Sequence, residues 1–187
     1  MFTLQTTIVQ LKKINNLFLL FTGFSGAGKS TIAQALRVRL AEEGLDSYIL
    51  DGDNMRNGLC NDLSFSAEDR KENMRRTAHV STLFMDAGLI AIAAMIAPYA
   101  EEREGMKEII GAKNFVEVFV STSIEVCIKR DTKGLYKKAL NGEITNMTGI
   151  QAPYEKPVSA DLIFDTNSIS LEEITNKILT FIKKRLA

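Results

Sequence analysis

A three-layer α/β domain of the P-loop NTPase/kinase type, with a parallel sheet of about five strands, helices on both faces and a lid segment, is the architecture this sequence predicts. Three observations carry the prediction. Apolar runs of strand length alternate with helix-period segments along most of the chain. Residues 89–96 are apolar at every position, as a strand covered on both faces requires. Gly23, Phe24, Ser25, Gly26, Ala27, Gly28, Lys29 and Ser30, followed by Thr31, fit the G-x-x-x-x-G-K-[ST] phosphate-binding loop. The loop lies between an apolar strand and a helical pattern, the context that gives the motif its meaning.

The strand before the loop is residues 17–21, and Ile32, Leu36 and Leu40 mark the helix after it. Glycines at 23, 26 and 28 let successive amides and the helix N-terminus converge on negative charge. In that setting Lys29 reaches the β- and γ-phosphates of ATP, and the Ser30 hydroxyl holds Mg²⁺. Gly44 stops the helix, and residues 47–50 form a second strand that runs into Asp51, Gly52, Asp53 and Asn54. Ligands of open α/β sheets bind beyond the carboxyl ends of the strands, so both carboxylates share a rim with the phosphate loop. Turn chemistry alone also favours Asp-Gly and Asp-Asn.

Ser66, with Asp69 three residues on, starts a long helix to about residue 87, basic near its beginning through Arg70, Lys71, Arg75 and Arg76. The 89–96 strand ends at Pro98. A charged helix over 101–110, a strand over 115–120 and a short helix over 123–129 follow. Residues 130–157 carry little apolar periodicity and several Gly, Pro and Lys, which reads as a lid over the nucleotide. A last strand over 161–165 and a helix capped by Ser170 and Glu173, with Leu171, Ile174, Ile178 and Ile182 on one face, complete the domain. Residues 17–187 thus form a single domain. Residues 1–16 are an N-terminal arm, a short strand or an amphipathic turn.

The chain has 187 residues, 45% of them hydrophobic, which suffices for one core. Its 23 basic and 23 acidic residues cancel, so no overall field draws it to nucleic acid or an anionic membrane. No apolar stretch approaches the ~20 residues of a membrane helix, and residues 1–16 lack the plan of a secretory signal, so a cytoplasmic protein is expected. Cys60, Cys127 and His79 lack metal-ligand spacing and read as structural.

Beyond these features the chain resembles the adenylylsulfate (APS) kinase family from residue 17 onward. The resemblance rests on residues 23–31, on 50–59 (Leu-Asp-Gly-Asp-Asn-Met-Arg-Asn-Gly-Leu) and on 62–73 with Arg75 and Arg76. Residues 86–88, 115–120, 130–136, 142–144, 148–149 and 153–155 agree as well. It implies transfer of the ATP γ-phosphate to the 3′-hydroxyl of adenosine 5′-phosphosulfate, giving PAPS, with Asp51 and Asp53 dividing base and orienting roles in an order left open. It further implies that Arg56 and Arg70 bind the phosphosulfate, that Asn73 hydrogen-bonds the substrate, and that Phe65 stacks on its base with Met147 opposite. Lys133 would reach the phosphates when the lid closes, with Arg130 near the ATP adenine. A homodimer is implied, and a sulfate adenylyltransferase in the same pathway. The chain departs from the family at Ala97, where some members carry a phosphorylated serine, at Ala100 and Leu140 in place of arginines, and at Met147 in place of phenylalanine. Alanine at 97 leaves direct in-line transfer as the route. Two other readings stay open: a kinase of this fold acting on another nucleoside 5′-anhydride or small hydroxyl substrate, and a non-catalytic nucleotide-binding subunit.

Overall fold

The computed structural model describes residues 16–187. The arm expected at residues 1–16 falls, except for Asn16, outside them. Five strands, β1 (Phe18–Thr22), β2 (Ser47–Asp51), β3 (Ile90–Ala94), β4 (Phe115–Val120) and β5 (Leu162–Phe164), form one sheet in the order β2-β3-β1-β4-β5. Every pairing is parallel. Helices α1 (Lys29–Glu42), α2 (Gly52–Asn57), α3 (Ala67–Asp86), α4 (Ala100–Ile110), α5 (Ile124–Arg130), α6 (Leu135–Leu140) and α7 (Leu171–Leu186) connect and follow the strands.

The two-residue period of a strand sorts β1 onto both faces. Leu19 and Phe21 join Ile32, Leu36 and Leu40 of α1 and Ile174, Ile178 and Ile182 of α7 in one core. Phe18 and Leu20 join Met74 and Ala78 of α3 and Met106 and Ile110 of α4 in the other. All five β1 residues are buried, which explains the unbroken apolar run. This central strand ends in the phosphate loop, so the loop is held from both layers.

The caps form as the sequence predicts: Ser66 Oγ accepts the Asp69 amide at 3.1 Å and Ser170 Oγ accepts that of Glu173 at 3.2 Å. Three segments differ from expectation. The third strand stops at Ala94, and a few residues on Ala97 takes a left-handed φ of 46°, carrying the chain out of the sheet while its carbonyl accepts Arg103 Nη1 at 2.8 Å. The stretch Asp51–Asn54 is a helix start rather than a free turn, because Asp51 Oδ1 accepts the Asp53 amide at 3.0 Å and caps α2. Residues 130–157 contain α6 and are anchored, with Tyr136, Ala139 and Met147 buried in the α1/α7 core. Their spacing is set by one short helix and a loop, so no single period exposes it in the sequence. Among the described residues no helix is long and apolar enough to cross a membrane.

Candidate active site

The strand-to-helix turn at 23–30 is built on backbone geometry that other residues would break. Gly23 has φ 144°, and a Cβ there would fall 2.5 Å from the Val120 carbonyl oxygen of β4. Gly28, with φ 106°, starts α1 and leaves its N-terminal amides open to an anion. Lys29 follows, only 8% exposed, with Nζ donating to the carbonyls of Gly23 (2.9 Å) and Phe24 (2.7 Å). Burial draws this ammonium down to about 8.

Ser30 Oγ donates to Asp51 Oδ2 at 2.7 Å, which joins the first turn of α1 to the end of β2. Asp51 is therefore engaged through both oxygens, one on Ser30 and one on the Asp53 amide. The Asp53 carboxylate is mostly exposed and ion-pairs with Lys133, delivered from the turn after α5. Asp131 closes that turn, its carboxylate accepting the amides of Tyr136 and Lys137 at 3.0 Å each. Ser30, Asp51, Asp53 and Lys133 thus form one run of contacts leading from the first turn of α1.

Two adjacent hard oxygens, Ser30 Oγ and Asp51 Oδ2, suit Mg²⁺. Among the described residues no group of three or more His, Cys, Asp or Glu is arranged to hold a metal. This donor set fits an ion that brings phosphate oxygens with it, the usual habit of Mg²⁺ at nucleotides.

On α2 and α3 respectively, Arg56 Cζ lies 4.2 Å and Arg70 Cζ 5.6 Å from the centre of the Phe65 ring. Arg56 Nη1 donates to Ser64 O (2.7 Å), and Arg70 donates to Phe65 O (3.1 Å) and Asn146 O (2.9 Å). Partial burial, then the charge of Arg70, lowers the affinity of Arg56 for its proton. Two guanidiniums around one ring favour an anion attached to a flat base. Asn73 is buried, and its Nδ2 has no acceptor among the described residues.

Met147, expected opposite Phe65, is a core residue. It is 8% exposed and packs in the α1/α7 core, while Phe65 is 56% exposed with Arg56 on its face. The neighbouring Asn146, with φ 60°, turns its carbonyl to Arg70 instead.

Beside the phosphate loop, Arg130 Nη1 donates to Thr166 Oγ1 at 2.7 Å and lines a cavity of about 250 Å³ with Gly26, Gly28, Thr31, Thr166 and Leu171. Thr166, which also donates to Ala27 O at 2.8 Å, escapes motif reading. Its signal was positional: it follows the last strand, on the same carboxyl rim as the loop.

A family model for adenylylsulphate kinase matches residues 15–165. The chain belongs to the adenylylsulphate kinase family. It is 51% identical over 162 residues to the adenylyl-sulfate kinase of Shewanella amazonensis, covering 87% of this chain and 82% of that one. To the adenylyl-sulfate kinase of Vibrio parahaemolyticus it is 49% identical over 176 residues, covering 94% and 86%. The solved structure of the Mycobacterium tuberculosis APS kinase CysC, in complex with AMPPNP and APS, matches with a TM-score of 0.87 at 41% identity, over 89% of this chain and 97% of that one. A hexameric APS kinase from Thiobacillus denitrificans matches at 0.67 and 33% identity, over 90% of this chain and 29% of that one. A gluconokinase from Sinorhizobium meliloti, at 16% identity, shares the fold alone. Within the adenylylsulphate kinase frame, Ala97 lies buried behind the loop and Ala100 opens α4, its amide donating to Glu155 Oε2 at 2.7 Å. Leu140 is 64% exposed at the end of α6.

Proposed function

We propose that this protein transfers the γ-phosphate of ATP to the 3′-hydroxyl of adenosine 5′-phosphosulfate, giving PAPS and ADP, with Mg²⁺ accompanying the nucleotide. The observation that carries the reading is the Ser30–Asp51 hydrogen bond, which ties the phosphate loop to the start of α2, the helix that carries Asp53 and sets Arg56 over the Phe65 ring. A phosphoryl donor and a nucleotide acceptor then face each other across one carboxylate.

The residues divide the work as follows. Lys29 and the loop amides receive the β- and γ-phosphates, a kind of charge stabilisation that contributes several kcal/mol in such sites. Ser30 and Asp51 hold the ion, which when bound neutralises charge on the phosphate oxygens. Both Asp51 oxygens are already engaged, so Asp53 is the carboxylate free to accept the 3′-hydroxyl proton once Lys133 turns to the phosphates. Arg56 and Arg70 receive the phosphosulfate, Phe65 the base, and Asn73 a polar group of the substrate. Arg130 and Thr166 border the space for the ATP adenine. Residues 130–157 act as the lid. A homodimer in the cytoplasm, alongside a separate sulfate adenylyltransferase, is the matching proposal for assembly and setting, and light scattering checks the dimer.

The test is a coupled assay of ADP release with APS, with AMP and with gluconate, on wild type, Asp51→Asn and Asp53→Asn. The expected result is turnover with APS alone, kcat collapsed in Asp53→Asn, and in Asp51→Asn a loss that extra Mg²⁺ partly restores. Equal turnover with gluconate, or small and equal losses in both variants, overturns the reading.

A further inference from the structure

Tyr154 belongs to the loop after α6, distant in sequence from the phosphate loop, yet its hydroxyl lies 2.8 Å from Thr22 Oγ1 at the end of β1. Thr22 is fully buried, and its Oγ1 donates to Ile96 O at 2.7 Å. A threonine hydroxyl has one hydrogen, so in this pair Tyr154 donates and Thr22 accepts. Burial pushes the phenol up to about 12, which keeps that proton in place across neutral pH.

The chain of contacts continues into the loop. Ile96 O also accepts the Gly23 amide at 3.3 Å, and the Gly23 and Phe24 carbonyls are the two acceptors of Lys29. The Phe24 ring packs 4.9 Å from the Tyr154 ring, and Gly149 comes so near that a Cβ there would fall 2.9 Å from Phe24 Cε1. Glu155 fixes the same point of the loop. Its amide donates to Pro98 O at 2.8 Å and its carboxylate caps α4 through the Ala100 amide. The Tyr154-Glu155 pair is thus tied to the exits of both β1 and β3.

We propose that Tyr154 is a positioning residue for the nucleotide: through Thr22, and through the Gly23 and Phe24 peptides, it sets the acceptors that hold the Lys29 ammonium where phosphates arrive. The inference rests on the reading above only in taking the loop as an ATP site. It assigns the far end of the 130–157 segment a second task, as a fixed post of the phosphate loop.

Tyr154→Phe keeps the ring and removes only the donor. Affinity for a non-hydrolysable ATP analogue with Mg²⁺, measured by titration calorimetry, should fall about fivefold to tenfold, the scale of one buried hydrogen bond. KM for ATP should rise with it, KM for APS should stay unchanged, and Tm should move by no more than a few degrees. Thr22→Val should give a similar loss and Thr22→Ser should restore affinity. The double variant Tyr154→Phe/Thr22→Val should be no weaker than the worse single change, because both cut one link. A lowered Tm with unchanged analogue affinity, or losses that multiply, overturns the proposal. The analogue titration needs no APS. A wild type that binds the analogue but ignores APS sinks the assigned reaction and leaves Tyr154 testable, whereas full APS turnover with unchanged affinity in Tyr154→Phe sinks only this inference.

Discussion

Lys29 gives up much of its hydration to lie on two carbonyls, and burial draws it to about 8. Phosphates arriving beside it favour the charged form and raise it again. ATP binding should therefore take up a proton near pH 8.5 and none near pH 6.5, read as a buffer-dependent binding enthalpy; a buffer-independent enthalpy at pH 8.5 contradicts it. Above pH 8 kcat/KM for ATP should decline. Met147 teaches the opposite lesson about residue-scale reading. Its position in a motif suggests that Met147→Phe adds stacking and lowers KM for APS. Its burial in the core says that the larger ring overpacks a filled site, a change that typically costs ~1–3 kcal/mol. The expected outcome is a lower Tm with no gain in KM for APS, and steady-state kinetics beside a thermal melt decide between the two. The motif position was legible in the sequence; the burial of Met147, just after Asn146 at φ 60°, was not.

At the scale of elements, α4 carries a buried carboxylate against α3. Glu102 is 6% exposed, and burial raises it to about 7 against the partial relief of a hydrogen bond from the Tyr99 backbone and of the charges of Arg70 and Arg103, with Glu155 opposing. The folded state therefore binds a proton that the unfolded chain releases between pH 4.5 and 7. Stability falls as pH rises through that window. Glu102→Gln should raise stability by roughly 1–3 kcal/mol at pH 8 and by much less at pH 5, seen in paired denaturant melts. No difference between the two pH values would contradict the assignment. Most elements were legible because their signals are local: the Ser66 and Ser170 caps, the loop glycines and the β-branched and aromatic residues of 115–120 all sit in the residues they govern. What stayed hidden depends on distant partners. The anchors Tyr136 and Met147, the cap that Glu155 lends to α4, and the Thr166 contact to Arg130 are each made across the fold.

For the molecule as a whole, a ligand that binds only the folded state stabilises it by RT ln(1 + [L]/Kd), about 2.7 kcal/mol at a hundredfold excess over Kd. In a chain of this size that corresponds to a Tm rise of roughly 5–10 °C. A saturating ATP analogue with Mg²⁺ should produce it, chelation of Mg²⁺ should remove most of it, and Asp51→Asn should mimic chelation if Ser30 and Asp51 hold the ion. The overall architecture was readable from alternation and one motif, since a parallel sheet with two covered faces leaves few other arrangements for such runs. The strand order was not, because pairing is a property of the assembled sheet. That order bears on how the protein is made. Phe18 of the first strand pairs with Ala91 on one side and with Phe115 on the other, both synthesised far later. Such non-local pairing is slow to form. On the ribosome the five apolar residues at 17–21 can pack on α1 and pair with the third strand early, but one edge of this strand stays open until the fourth strand emerges. During that interval this segment is the stretch of the nascent chain a chaperone would hold.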